Sequence, residues 1–240
     1  MKMDEFDGKK FLATVRGDDF AHAGEADAIE VVFDLIPAAP EWKVLDIGCG
    51  RGGTAHIVKE RGWGDVVGID IDATSIEYCQ SRYPNLQFEI CAMEQVGERF
   101  PEAFDLLYSF NVFYASKFKQ EALHSFRKAA KSGAILCIFD YVMYKPNEPL
   151  PEVFLGQKPA TPEELKAFTK AASWDVFRNE NLDQKYIEWY RSFLARFDDP
   201  SLSSQYSEET IEAVKSRYAE LLNSIETGTL GGTILLAHAH

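Results

Sequence analysis

An α/β fold, with a mostly parallel sheet and helices on both of its faces, follows from three observations on this chain. Short runs that are almost wholly apolar, such as Val44–Ile47, Val66–Ile69 and Ile135–Phe139, alternate with amphipathic stretches of helical length. A strand buried on both faces needs no alternation of apolar and polar residues, and that is the pattern of a parallel strand sandwiched between helices. The glycine turn Gly48-Cys49-Gly50-Arg51-Gly52-Gly53 directly follows the first run, where open parallel sheets receive ligands. With 240 residues, 46% of them hydrophobic, the chain can bury one large core without a second domain.

The elements follow in order. Gly24–Leu35 reads as an amphipathic helix with Ala28, Val31, Val32 and Leu35 on one face, ended by Pro37 and Pro40. Strands are expected at 43–47, 65–70, 86–90, 104–109 and 134–140. Helices at 53–61, 73–82 and 117–130 connect them, the second capped by Asp72. Beyond Asp140, five prolines between Pro146 and Pro162 mark an irregular crossing, and Thr161-Pro162-Glu163-Glu164 opens a helix with a cap, a proline and first-turn acids. A strand near Trp174–Asn179 and a last strand at 229–237 bring the sheet to seven. Helices at 183–197 and 207–226 precede that last strand and are too long for a hairpin connection, so they are expected to form a helical lid. The organisation predicted is one domain over 1–240. Residues 1–36 form an N-terminal cap and first helix; 141–170 and 182–227 form the substrate-side crossing and the lid.

Charge and composition exclude several roles. A net charge of −13, with lysines and arginines scattered among acids, repels polyanions, so nucleic acid and anionic membranes are disfavoured as partners. No apolar run approaches the 18 or so residues that span a bilayer, and Met1–Asp7 lacks a secretory signal. A cytoplasmic protein is expected. Cys49, Cys79, Cys91 and Cys137 lack metal-ligand spacing, so reduced thiols and no metal site are expected.

The chemistry gathers around the glycine turn. Gly48, Gly50 and Gly53 have the G-x-G-x-x-G spacing, which dinucleotide-binding folds share. Asp46 lies two residues before the first glycine, where its carboxylate would face a pyrophosphate but would favour a sulfonium or an α-ammonium. That difference argues for S-adenosylmethionine over a nicotinamide cofactor. Asp70 ends the second strand about 20 residues past the turn, where ribose hydroxyls are held in nucleotide-binding folds. Ile71 is then expected against the adenine.

Here the chain resembles the class I S-adenosylmethionine-dependent methyltransferases. The runs Phe104–Ser109, Ala134–Tyr141 and Gly231–Ala237 look like that family's fourth, fifth and final strands. The segment Gly17-Asp18-Asp19-Phe20-Ala21-His22-Ala23-Gly24 and the pair Asp140-Tyr141 look like its phosphoethanolamine and sarcosine/dimethylglycine group. The resemblance implies a Rossmann-like methyltransferase sheet and methyl transfer to a small-molecule amine, carboxylate, phenol or hydroxyl. It places Asp46, Gly48, Cys49, Gly50, Asp70, Ile71, Cys91, Ala92, Met93 and Ser109 around the cofactor, with Cys91 where many members carry an acid for the adenine. A non-catalytic sensor or scaffold that keeps the pocket is the alternative. A homodimer is left open.

Methyl transfer is an in-line displacement that needs alignment and exclusion of water more than a strong base. Phe20, His22, Phe110, Asn111, Phe113, Tyr114, Asp140, Tyr141 and Tyr144 are candidates for the acceptor pocket, and His22, Asn111 and Tyr141 carry the catalytic assignment. His22 is set against a structural role, and Asn111 is expected at the ligand edge of the sheet. Two departures stand out. Phosphobase enzymes of the resembling group pair an early tyrosine with a histidine after the fourth strand, where this chain has Phe11-Leu12 and Tyr114-Ala115. Their phosphate-binding arginine and tyrosines also lack counterparts, since Gly156-Gln157-Lys158-Pro159 holds one lysine and no arginine.

Overall fold

The computed structural model describes residues 5–17, 19–37 and 39–240. Residues 1–4 of the expected N-terminal cap, and Asp18 of its glycine-bounded segment, lie outside the described residues. In chain order the elements are α1 (Phe6–Arg16), α2 (Glu25–Phe33), β1 (Lys43–Ile47), α3 (Gly53–Glu60), β2 (Asp65–Asp70) and α4 (Ala73–Arg82). Then come β3 (Gln87–Ile90), the single turn α5 (Val96–Arg99), β4 (Phe104–Phe110), α6 (Lys119–Ala129) and β5 (Ala130–Met143). The chain ends with α7 (Pro162–Ala171), β6 (Trp174–Asn181), α8 (Asp183–Ala195), α9 (Glu208–Glu226) and β7 (Leu230–Ala239).

The seven strands lie in the order β3-β2-β1-β4-β5-β7-β6. All pairs are parallel except those of β7, which runs antiparallel to both β5 and β6. The order reverses between β1 and β4, so the carboxyl ends of those two strands flank a crevice. Beyond the irregularity between Phe104 and Leu106, side chains alternate between two cores. Leu106, Tyr108 and Phe110 of β4, with Cys137, Phe139 and Tyr141 of β5, enter one core. Leu107, with Leu136 and Ile138 of β5, enters the other.

Local signals set most boundaries. Asp72 accepts from the Thr74 amide at the start of α4, and Thr161 with Glu164 forms a reciprocal capping box on α7, behind Pro162. Four expectations need correction. The buried face of α2 is Ala28, Ile29, Val32 and Phe33, while Val31 and Leu35 are half-buried. Strand β5 is fourteen residues long instead of seven, because it begins at Ala130 beside Phe104 of β4 and its pairing with β7 extends to Met143↔Leu230. Its early start also ends α6 at Ala129. Helix α1 was not expected: its apolar stripe of Phe11, Leu12 and Val15 is interrupted by Lys9 and Arg16, which are themselves buried.

Candidate active site

The crevice at the β1/β4 switch point opens into a cavity of about 510 Å³, lined by β1, β2 and β4 ends, by α1, by the segment after β5 and by α9. The glycine turn forms one end. Gly48 sits at φ +74°, and a Cβ there would lie 2.5 Å from Val112 Cγ1, so both conformation and space demand glycine. A Cβ on Gly53 would meet the Asp19 carbonyl oxygen at 2.5 Å, so this glycine lets the N-terminal segment close over the turn. Asp19 is anchored there by Arg51 Nε at 2.9 Å and by the Tyr78 and Tyr83 hydroxyls.

Two carboxylates mark this end. Asp46 is 2% exposed, lines the cavity, and its Oδ2 has no hydrogen-bond partner. Burial pushes its carboxyl up to about 7, with the nearby Asp70 charge acting in the same direction. Asp70 is fully engaged. It accepts from the Gly50 and Asp72 amides, each at 2.9 Å, and both its oxygens accept from Lys9 Nζ, at 3.0 and 3.2 Å. Lys9 also donates to Ser75 Oγ at 3.2 Å. Sequence reasoning missed Lys9 together with its helix; the signal was the spacing of Phe11, Leu12 and Val15 ahead of Gly17, which caps α1 at φ +81°.

Of the residues assigned to the cofactor, Asp46, Gly48, Cys49, Gly50, Asp70, Ile71, Cys91 and Met93 line the cavity, while Ala92 and Ser109 do not. Ser109 pairs in register with Ile47 and Ile138, whose side chains fill the opposite core, so alternation along β4 turns its side chain away. Ala92 lies between two lining residues, and its carbonyl accepts from the Gln95 amide at 2.9 Å. Ile71 stands 74% exposed at the mouth. Burial and the neighbouring Cys79 raise the Cys49 thiol well above its usual range, which leaves it a small apolar side chain rather than a nucleophile.

The three residues assigned to catalysis all reach the cavity, and each is already bonded. The Nδ1 atom of His22 lies 2.9 Å from the Ala23 carbonyl and Nε2 lies 3.0 Å from Thr54 Oγ1. The first contact requires a proton on Nδ1, so Nε2 accepts from the threonine. Burial also lowers the imidazole to about 4, so it is neutral near pH 7 and occupied on both sides. Asn111, in the left-handed region at φ +52°, accepts from the Ala23 amide at 3.0 Å and donates to the Tyr186 hydroxyl at 2.8 Å. It ties the N-terminal segment to lid helix α8. The Tyr141 hydroxyl bonds that of Tyr190 on the same helix.

Among the other aromatic candidates, Phe110 and Tyr114 line the cavity, whereas Phe20 and Phe113 are core residues outside its lining. Tyr144 bonds Asp183 at 3.0 Å on the surface. Asp140 is buried behind the wall, where its oxygens accept from the Tyr114 and Tyr141 amides at 2.8 and 2.7 Å, and burial pushes its carboxyl up to about 7. Leu12, Tyr114 and Ala115, at the positions where the resembling phosphobase enzymes are expected to carry their dyad, all line the cavity. Tyr218 and Leu221 of α9 complete the wall, while α8 adds no lining residue. Among the described residues there is no cluster able to hold a metal ion and no helix long and apolar enough to cross a membrane.

Comparison with known proteins bears on this arrangement. Residues 39–192 match the family model described as a methyltransferase domain. The phosphoethanolamine N-methyltransferase of Triticum aestivum is 28% identical over 175 residues, covering 71% of this chain and 32% of that protein. The chain spans less than half the length of the curated relatives it matches. Phosphoethanolamine N-methyltransferase 2 of Haemonchus contortus, solved with phosphomonomethylethanolamine and S-adenosylhomocysteine, superposes with a TM-score of 0.89 over 97% of this chain and 57% of that one, at 17% identity. A provisionally assigned sarcosine dimethylglycine methyltransferase of Galdieria sulphuraria superposes with a TM-score of 0.85 over 97% of this chain and 98% of that one, at 14% identity. With its fold, its strand order and well over half of its length matched, this chain belongs to the methyltransferase-domain family, in its class I architecture.

Proposed function

We propose that this chain transfers a methyl group from S-adenosylmethionine to a small-molecule acceptor. The observation that carries the reading is Asp46, a buried carboxylate in the cavity wall beneath a glycine turn, with the Tyr108 hydroxyl beside it and no countercharge. A buried carboxylate without a countercharge is costly, and a cationic ligand group removes that cost. The cofactor's α-ammonium and sulfonium supply such charge, whereas a pyrophosphate in the same turn would be repelled. Asp70 is the seat for the ribose hydroxyls, with Ile71, Cys91 and Met93 around the adenine. Bound there, the cofactor supplies an electrophilic methyl group for in-line displacement, and the walls align the acceptor and exclude water.

In this reading His22 and Asn111 are positioning residues. Their bonds to Thr54, Ala23 and Tyr186 hold the N-terminal segment and the lid against the sheet. Calorimetry with S-adenosylhomocysteine tests the cofactor half. Saturable binding is expected, weakened in Asp70→Ala by about 1–3 kcal/mol through loss of a charged hydrogen bond. Labelled S-adenosylmethionine, incubated with amines, phenols and carboxylates, then tests transfer. Tight binding with no transfer to any acceptor would leave a sensor in place of an enzyme.

A further inference from the structure

Under the proposed function the adenine lies among Ile71, Cys91 and Met93, and none of the three offers a strong acceptor to its 6-amino group. The Cys91 thiol donates to the Ala92 carbonyl at 3.4 Å, and burial, with the Glu89 charge nearby, raises it above its usual range, so it stays protonated. At the neighbouring strand end, Asp70 is occupied by Lys9 and by the Gly50 and Asp72 amides. The position where the resembling family carries an acid for the adenine thus holds a neutral sulfur in this chain.

Glu94 stands three residues further on, in the single turn Met93–Gln95. It lines the cavity and is half-buried. Its Oε1 accepts from Ser116 Oγ at 2.6 Å, and Ser116 Oγ accepts in turn from the Phe118 amide at 3.0 Å, which fixes the hydroxyl as a donor to Glu94. These bonds hold the carboxylate against the segment after β4. Ser116 is its one partner among the described residues, so Oε2 is unengaged. An ionised carboxylate only accepts hydrogen bonds, and one already held in place loses little freedom in accepting another. Lys117 also lines the cavity, but it is exposed and would favour a 6-oxo purine, so the two side chains make opposite demands on the base. The anchored group is the acceptor.

We infer that Glu94 is a specificity-determining residue of the cofactor site: its Oε2 accepts from the 6-amino group of the purine, with Ser116 as the positioning residue that aims it. Selection of the base is thereby moved from the end of β3 to the turn that follows it, and it depends on contact between that turn and the segment after β4.

Calorimetry with two ligands tests this: S-adenosylhomocysteine and its analogue with hydrogen in place of the 6-amino group. The unaltered protein is expected to prefer the amino form by about ten- to hundredfold, the effect of one hydrogen bond to a charged group. Glu94→Ala should reduce that preference to below about threefold, chiefly by weakening the amino form. Glu94→Gln keeps a carbonyl acceptor and should retain an intermediate preference; it also serves as the test should Glu94→Ala not fold. Ser116→Ala should lower the preference less than Glu94→Ala does. Equal affinity of the unaltered protein for the two ligands, a preference that survives the loss of Glu94, or equal weakening of both ligands by Glu94→Ala overturns the assignment. Failure of the unaltered protein to bind S-adenosylhomocysteine at all would overturn the proposed function, so the two failures are distinct.

Discussion

The two halves of the cavity are built by different means. The end proposed for the cofactor is local: β1, its glycine turn and the end of β2 supply Asp46, Gly48 and Asp70 within 25 residues, and the Gly50 and Asp72 amides hold the Asp70 carboxylate. The acceptor half is assembled from residues 110–118, β5, the proline-rich crossing and α9, and it presents aromatic rings. The first carries charge and a fixed main-chain shape. The second carries aromatic surface. A common cofactor requires the one; an acceptor that differs from protein to protein is accommodated by the other.

Substitutions in the cofactor half should therefore be felt by the nucleoside and those in the acceptor half should not. The largest effect is expected from Gly48→Ala. The new methyl group meets Val112, and the left-handed backbone is strained, at a cost of about 1–3 kcal/mol by chemical denaturation. Binding of S-adenosylhomocysteine should fall below detection in calorimetry, and Val112→Ala added to it should restore part of both.

Next in size is Asp46→Asn, expected to weaken the nucleoside by about 1.5–3 kcal/mol. Its pH dependence is distinctive. The carboxyl is raised to about 7 in the unliganded protein, and a cationic ligand favours the ionised form, so binding expels a proton below that pH. Affinity should rise with pH up to about 7 and level off above it, by at most about 1.4 kcal/mol per pH unit on the rising limb. Asp46→Asn should remove that limb, and a slope that survives the substitution would move the titration elsewhere.

The smallest effect tests the other half. Tyr141→Phe deletes the hydroxyl bonded to Tyr190 and should cost about 0.5–1.5 kcal/mol of stability. Affinity for the nucleoside should not change. A tenfold loss there would mean that the two halves are not independent.

The same contrast governs what could be read from the sequence. The strands and the turn were legible because each signal is contiguous: an apolar run or a glycine spacing. Asp46 and Asp70 reach the cavity from strands β1 and β2, whereas Ser109 faces away from it, because position along a strand does not give the face, and face is settled by register with Ile47 and Ile138. Helix α1 escaped because burial of Lys9 and Arg16 depends on partners outside the helix, Asp70 for one and Glu25 with the Phe193 ring for the other. The reach of His22 and Asn111 to the cavity was foreseeable, but their saturation was not. It depends on Thr54 of α3 reaching His22, and on Ala23 and Tyr186 of α8 converging on Asn111. The mutual 80° inclination of the Tyr114, Tyr141 and Phe154 rings has no sequence signature at all.

Under the proposed function, the ammonium of Lys9 seated on Asp70 is a placeholder: it neutralises a buried negative charge and fixes the aspartate at the end of β2. Arrival of a nucleoside at Asp70 would then be an exchange of one set of donors for another instead of a folding event.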